Sequence, residues 1–152
     1  RAIGNRWDTI ATLRILGDIA RERADFELAK VLFTESLALA RGNESLRDQA
    51  DTLSAFGVVA ADEREFERAA RLLGAAEALY QRLEIEFPPP LRPDWFDVVD
   101  RIERAVGVEG IERYWSSSSP QFETLELLGN RRLGDGRSVR PVGRKSLQRT
   151  AR

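Results

Sequence analysis

Residues 11–41, ATLRILGDIARERADFELAKVLFTESLALAR, and residues 51–81, DTLSAFGVVAADEREFERAARLLGAAEALYQ, align without a gap at an offset of forty positions. Ten of the thirty-one aligned positions are identical: Thr12/Thr52, Leu13/Leu53, Gly17/Gly57, Ala20/Ala60, Phe26/Phe66, Glu27/Glu67, Ala29/Ala69, Leu32/Leu72, Ala38/Ala78 and Leu39/Leu79. Small and large apolar residues recurring at a fixed period mark a repeat whose helix pairs stack because neither pair can bury its apolar face alone.

Within each unit the apolar residues step by three and four. Trp7, Ile10, Leu13, Gly17 and Ala20 form one stripe, and Leu46, Ala50, Leu53, Gly57 and Ala60 its counterpart. The second helices carry Phe26, Ala29, Phe33, Leu37 and Ala40, then Phe66, Ala69, Leu73, Ala76 and Tyr80. That periodicity is helical, so the sequence predicts two amphipathic helical hairpins. Gly17 and Gly57 fall mid-helix, where glycine costs about 1 kcal/mol against alanine, so a close approach by the partner helix is expected there.

Helix boundaries are legible outward from the repeat. Gly42-Asn43 predicts the end of the second helix, and Ser45 with Asp48 three residues on predicts a capped start for the third. Pro88, Pro89 and Pro90 lack the amide donor a helix needs and end the repeat pair. Trp95, Val98, Val99, Ile102 and Val106 then form a fifth stripe closed by Gly107, with a short helix through Ile111, Tyr114 and Trp115 behind it. Ser116 to Ser119 link to a last helix, with Pro120 in its first turn and Phe122, Leu125 and Leu128 on its apolar side. The fold predicted is all-α: two forty-residue hairpins in an array, covered by C-terminal capping helices. Trp95 and Trp115 are expected to cap the core.

Composition narrows the chemistry. The chain has no cysteine and no histidine, which removes disulfides, thiolate ligands and the usual neutral-pH proton shuttle. No Walker-type glycine loop is present, and Gly134-Asp135-Gly136 lacks the lysine and flanking helix of a phosphate cradle. No catalytic residue, metal ligand or cofactor is therefore expected. Asp94, Asp97, Asp100 and Glu103 lie along one side of the fifth helix, opposite Val98, Val99 and Ile102, and read as a solvated face. Asp62, Glu63 and Glu65 read as residues that cap and solvate a turn.

No apolar run is long enough to span a bilayer and Arg1 to Asn5 do not form a charged-then-apolar secretory signal, so a cytoplasmic protein is expected, with no membrane partner. The chain contains no methionine and is expected to begin inside a longer reading frame. Arginine dominates, lysine occurring only at 30 and 145, a bias expected of a GC-rich bacterial genome.

Charge is unevenly spread. Residues 131–152 hold eight basic residues against one acid, while residues 1–130 hold 16 basic against 24 acidic. The domain division expected is a helical domain over 1–129 and a basic, disordered tail over 130–152. Arg131, Arg132, Arg137, Arg140, Arg144 and Lys145 are candidate contacts to a polyanion, making nucleic acid a candidate partner through the tail only.

Each unit resembles a tetratricopeptide repeat, on Leu13, Gly17, Ala20, Ala29 and Phe33, matched by Leu53, Gly57, Ala60, Ala69 and Leu73. A further likeness lies in the run from Leu72 to Leu79, the proline cluster, the helix with Trp95, and Gly107 leading to Trp115. Over residues 10–128 the chain is similar to the C-terminal part of large bacterial ATP-dependent regulators of the LuxR type, and to related cyclase and kinase fusions. The resemblance implies a non-enzymatic interaction or sensor module that binds a peptide, a protein or a small effector, or docks on upstream domains of the same polypeptide where ATP binding and output reside. On that scheme the concave side of the array is lined by the first helices, here by Arg14, Asp18 and Arg21 in one unit and Ser54, Val58 and Ala61 in the next.

Overall fold

The computed structural model describes residues 2–85 and 95–128. Six helices follow in chain order: α1 (Ala2–Glu22), α2 (Phe26–Gly42), α3 (Leu46–Asp62), α4 (Phe66–Arg82), α5 (Trp95–Ser116) and α6 (Pro120–Leu128). The boundaries repeat as the residues do: α1 and α3 end forty positions apart, and α2 and α4 begin and end forty apart. The protein is an all-α helical repeat array, with α1–α2 and α3–α4 as its two hairpins and α5 and α6 packed on the second.

The turns reveal a finer period. Ala24, Glu44, Arg64 and Glu84 each adopt the left-handed conformation, with φ of 58°, 56°, 63° and 55°. They are spaced by twenty residues, one per helix. Around each, the following amide reaches back five residues, as in Asp25 to the Ala20 carbonyl at 2.9 Å and Glu65 to the Ala60 carbonyl at 2.8 Å. The left-handed residue itself bonds three back, as Glu44 does to the Arg41 carbonyl at 3.0 Å. This pair of bonds satisfies the orphan carbonyls of a helix end. The same residue that closes one helix opens the next: Asp25 accepts from the Leu28 amide at 3.2 Å, and Ser45 from the Asp48 amide at 3.3 Å. The end of α2 falls at Gly42-Asn43 as expected, yet the left-handed residue there is Glu44, and Gly42 is the last helical residue.

Helix α3 lies against α1, α2, α4 and α5. A Cβ built on Gly17 would meet the ring of Phe33 (2.7 Å to Cδ1), and one on Gly57 would meet Leu73 (2.8 Å to Cγ). Residues 33 and 73 are themselves repeat mates, so each hairpin closes by a large apolar side chain at the matched position entering the gap left by the matched glycine. Ser36 Oγ donates to the Ile10 carbonyl at 3.2 Å and lies 3.3 Å from Thr52 Oγ1, satisfying a buried hydroxyl where α1, α2 and α3 meet.

Beyond the repeat, α5 is broken at Gly107, whose backbone (φ 78°, ψ 168°) is not helical. The two predicted short helices are thus one run with a kink. Val98 and Ile102 are buried, while Asp97, Asp100 and Glu103 are exposed, as the solvated-face reading requires. Trp115 packs at the edge of the core and its indole N–H donates to Glu77 at 2.9 Å. Pro120 opens α6, with Ser119 Oγ accepting from the Phe122 amide at 3.4 Å. The proline cluster, the side chain of Trp95 and the basic tail lie outside the described residues.

Candidate functional site

The predicted concave groove is closed. Ser54, Val58 and Ala61 are fully buried. The sequence places them outward on α3, but α5 packs beside α3, and Arg101 of α5 donates to the Ala61 carbonyl at 3.0 Å. The hydroxyl of Ser54 is buried without a hydrogen-bond partner among the described residues. The α1 half of the groove is tied to α3 by charge. Arg14 Nη1 sits 3.6 Å from Asp48 and 3.7 Å from Asp51, and Arg21 Nε lies 2.5 Å from Asp62; Asp18 is half-buried and engaged. Arg14, Arg21 and the Ala61 carbonyl join helices to one another, and Ser54 and Val58 lie in the core.

Asp62 is the centre of that arrangement. One carboxylate oxygen takes Arg21 of α1 and the other takes Arg101 of α5 at 3.1 Å, so the first helices of successive layers are joined through one residue at the end of α3. Next to it Glu63 takes Lys30 of α2 at 3.0 Å. Reading Asp62 and Glu63 as solvated turn residues missed this, because their partners lie thirty-three to forty-one positions away and follow no period. Glu65 does sit in the turn, 3.4 Å from Arg68.

Among the described residues, Lys30 and Tyr114 have shifted proton affinities. Lys30 is held above its ordinary range, chiefly by its hydrogen bond to Glu27 and further by Glu63, against partial burial. The Tyr114 phenol is raised chiefly by its hydrogen bond to the Glu67 carboxylate, with burial in support and Arg113 and Arg71 opposing. The Tyr114–Glu67 contact fastens α5 to α4, whereas the chief contact of Lys30 lies within α2 and its Glu63 pair ties α2 to the end of α3.

Among the described residues no group of three or more acidic side chains is placed to hold a metal ion. Clefts indent the surface among the described residues. One of ≈ 460 Å³ lies between α2, α3, α4 and α6, where Arg41, Gln49, Arg82 and Gln121 rim a floor of Leu46 and Leu79. Two more, of ≈ 490 and ≈ 520 Å³, share Arg64, Phe66 and Ala105 along the α4–α5 seam.

The most distinctive surface is apolar, and it lies on α1. Ile15, Leu16 and Ile19 are 57%, 46% and 40% exposed, whereas their repeat mates Ala55, Phe56 and Val59 are 0%, 4% and 1% exposed. Thr12 is exposed and its mate Thr52 buried. On α3 this stripe is what α2 covers: Phe56 meets Phe33 edge to face at 5.6 Å, and Thr52 meets Ser36. Of this stripe the sequence reading singles out only the identical pair Thr12/Thr52, and it assigns the outward role to a different face. The polyanion candidates Arg131, Arg132, Arg137, Arg140, Arg144 and Lys145 lie outside the described residues.

No protein-family model matches the chain, and neither a curated protein nor a solved structure matches it. No helix among the described residues is long and apolar enough to cross a membrane.

Proposed function

We propose that this chain is a non-enzymatic, tetratricopeptide-like interaction module of a multidomain bacterial signalling or transcriptional regulator, working in the cytoplasm by docking a protein, a peptide or a small effector. The observation that carries the reading is the α1 stripe of Thr12, Ile15, Leu16 and Ile19, exposed although the same positions are core residues in the next unit. Contiguous exposed apolar side chains on a folded surface mark binding sites. Support also comes from the carboxylates: Asp48, Asp51, Asp62, Glu63 and Glu123 are engaged in ion pairs between helices, which is structural work. Docking at α1 can influence a linked domain only through a difference in affinity between that domain's two states.

The test is site-specific photo-crosslinking in the cells that make the protein. A photoreactive residue at Ile15 is expected to capture a discrete protein segment, while the same residue at exposed Glu103 on α5 captures none. Equal capture at both positions, or none at Ile15, would sink the reading.

A further inference from the structure

Beyond the existence of a docking surface, the repeat specifies what fits it. We infer that the exposed face of α1 is the seat for another helical hairpin of the same forty-residue pattern, held in the register by which α1–α2 holds α3, and with one charge pair inverted. The inference rests on the interaction-module reading and goes past it by naming the chemistry of the partner.

Four features of the seam between the α1–α2 hairpin and α3 have counterparts on α1. Phe33 of α2 packs on Phe56, and the mate of Phe56 is exposed Leu16. Ser36 of α2 meets Thr52, and the mate of Thr52 is exposed Thr12. Arg21, at the end of α1, binds Asp62, and the mate of Asp62 is Glu22, again acidic and exposed. Lys30 of α2 binds Glu63, but the mate of Glu63 is Arg23, exposed and of opposite sign. The incoming hairpin must therefore offer a large apolar residue and a small hydroxyl on its second helix, and an arginine at the end of its first. Where α2 carries Lys30, it must carry a carboxylate, because a lysine facing Arg23 would repel.

A second copy of this chain does not meet that description. In every copy the face of α2 bearing Phe33 and Ser36 is covered by α3, and the corresponding side of α4 is packed on α5. Lys30 would also meet Arg23 with like charge. The partner is thus a hairpin whose second-helix face is free. Stacking of this kind behaves as a sum of nearest-neighbour interfaces, so an added hairpin protects the one it covers.

The experiment adds such a hairpin to the full chain. Residues 6–45 are duplicated directly ahead of Arg6, which keeps the forty-residue register, and the added copy carries Lys30→Glu. Hydrogen exchange of the amides of residues 10–22 in the original α1 is the readout. Protection there is expected to rise at least tenfold over the unextended chain, to rise less when the added copy keeps Lys30, and to vanish when the original copy carries Ile15→Glu and Ile19→Glu. Unchanged exchange in α1, or an equal rise with either residue at position 30, would overturn the inference. So would concentration-dependent dimerisation of the unextended chain that Ile15→Glu abolishes, since the seat would then belong to a second copy. Capture at Ile15 of a segment that is not a helical hairpin would preserve the interaction-module reading and remove this one.

Discussion

The two hairpins are near-copies in backbone and unlike in burial. Helices α1 and α3 end at matched positions, close over matched glycines and carry matched stripes, yet α3 is buried from Thr52 to Ala61 while α1 exposes Ile15, Leu16 and Ile19. The difference lies in the neighbours. Helix α3 has α1 and α2 on one side and α4 and α5 on the other, whereas the described residues put nothing on the corresponding outer side of α1. The same pattern is core in one layer and surface in the next.

Truncating one aromatic pair member should break this equivalence most sharply. Phe56→Ala removes a buried ring and its edge contact with Phe33, and is expected to cost about 3–4 kcal/mol. Leu16→Ala at the matched position should cost under about 1 kcal/mol, because its side chain already meets water. Urea unfolding of the two variants checks the contrast, and similar losses would show that the two faces are equivalently packed.

The charge hub offers the next contrast. Asp62→Ala strips Arg21 and Arg101 of their shared acceptor and is expected to destabilise by about 1–2 kcal/mol, less at high salt because the site is only partly screened from solvent. Glu22→Ala, its exposed repeat mate, is expected to be neutral within about 0.5 kcal/mol. Thermal melts at low and high ionic strength measure both, and equal effects would remove Asp62 from its place as the joint between layers.

The turns should respond alike in both hairpins. Ala24, Glu44 and Arg64 hold a left-handed conformation that costs a residue with a Cβ roughly 1–2 kcal/mol, partly offset in a glycine variant by greater unfolded-state entropy. Ala24→Gly and Arg64→Gly are each expected to stabilise by about 0.5 kcal/mol, seen as a raised denaturation midpoint. A loss of stability would mean that the side chains at these turns contribute more than the strain they carry.

The smallest effect is on alkaline stability. Lys30 and Tyr114 both have proton affinities raised by folding, so the folded state favours their protonated forms. That contribution is complete below their ordinary pKa values and is lost as pH rises through the raised ones, from about pH 10 upward. Lys30→Met should flatten the part of the decline that arises from its pairs with Glu27 in α2 and Glu63 at the end of α3, while Tyr114→Phe flattens the part between α4 and α5. A decline identical in both variants and the parent would exclude these groups as its source.

Much of the fold could be read from residue order. The forty-residue period, the helix ends at Gly42-Asn43 and Ser45, the close approach at Gly17 and Gly57 and the break at Gly107 are consequences of steric and hydrogen-bonding preferences that act within a few residues. The twenty-residue recurrence of left-handed turns could not be read, because alanine, glutamate and arginine carry no preference for that conformation. The hub at Asp62 was equally hidden, since a charge pair spanning forty residues leaves no local mark.

What the sequence by itself determined is therefore the unit: a helix pair of set length, with one stripe of small and large apolar residues and a turn at each end. Only the tertiary structure decided which copies of that stripe meet protein and which meet solvent. Ser54, Val58 and Ala61 read as outward yet are covered, and the identical pair Thr12/Thr52 is exposed in one unit and buried in the next. The reason is physical: periodicity sets the direction of a side chain around its helix, whereas burial depends on the neighbour that packing brings to that side.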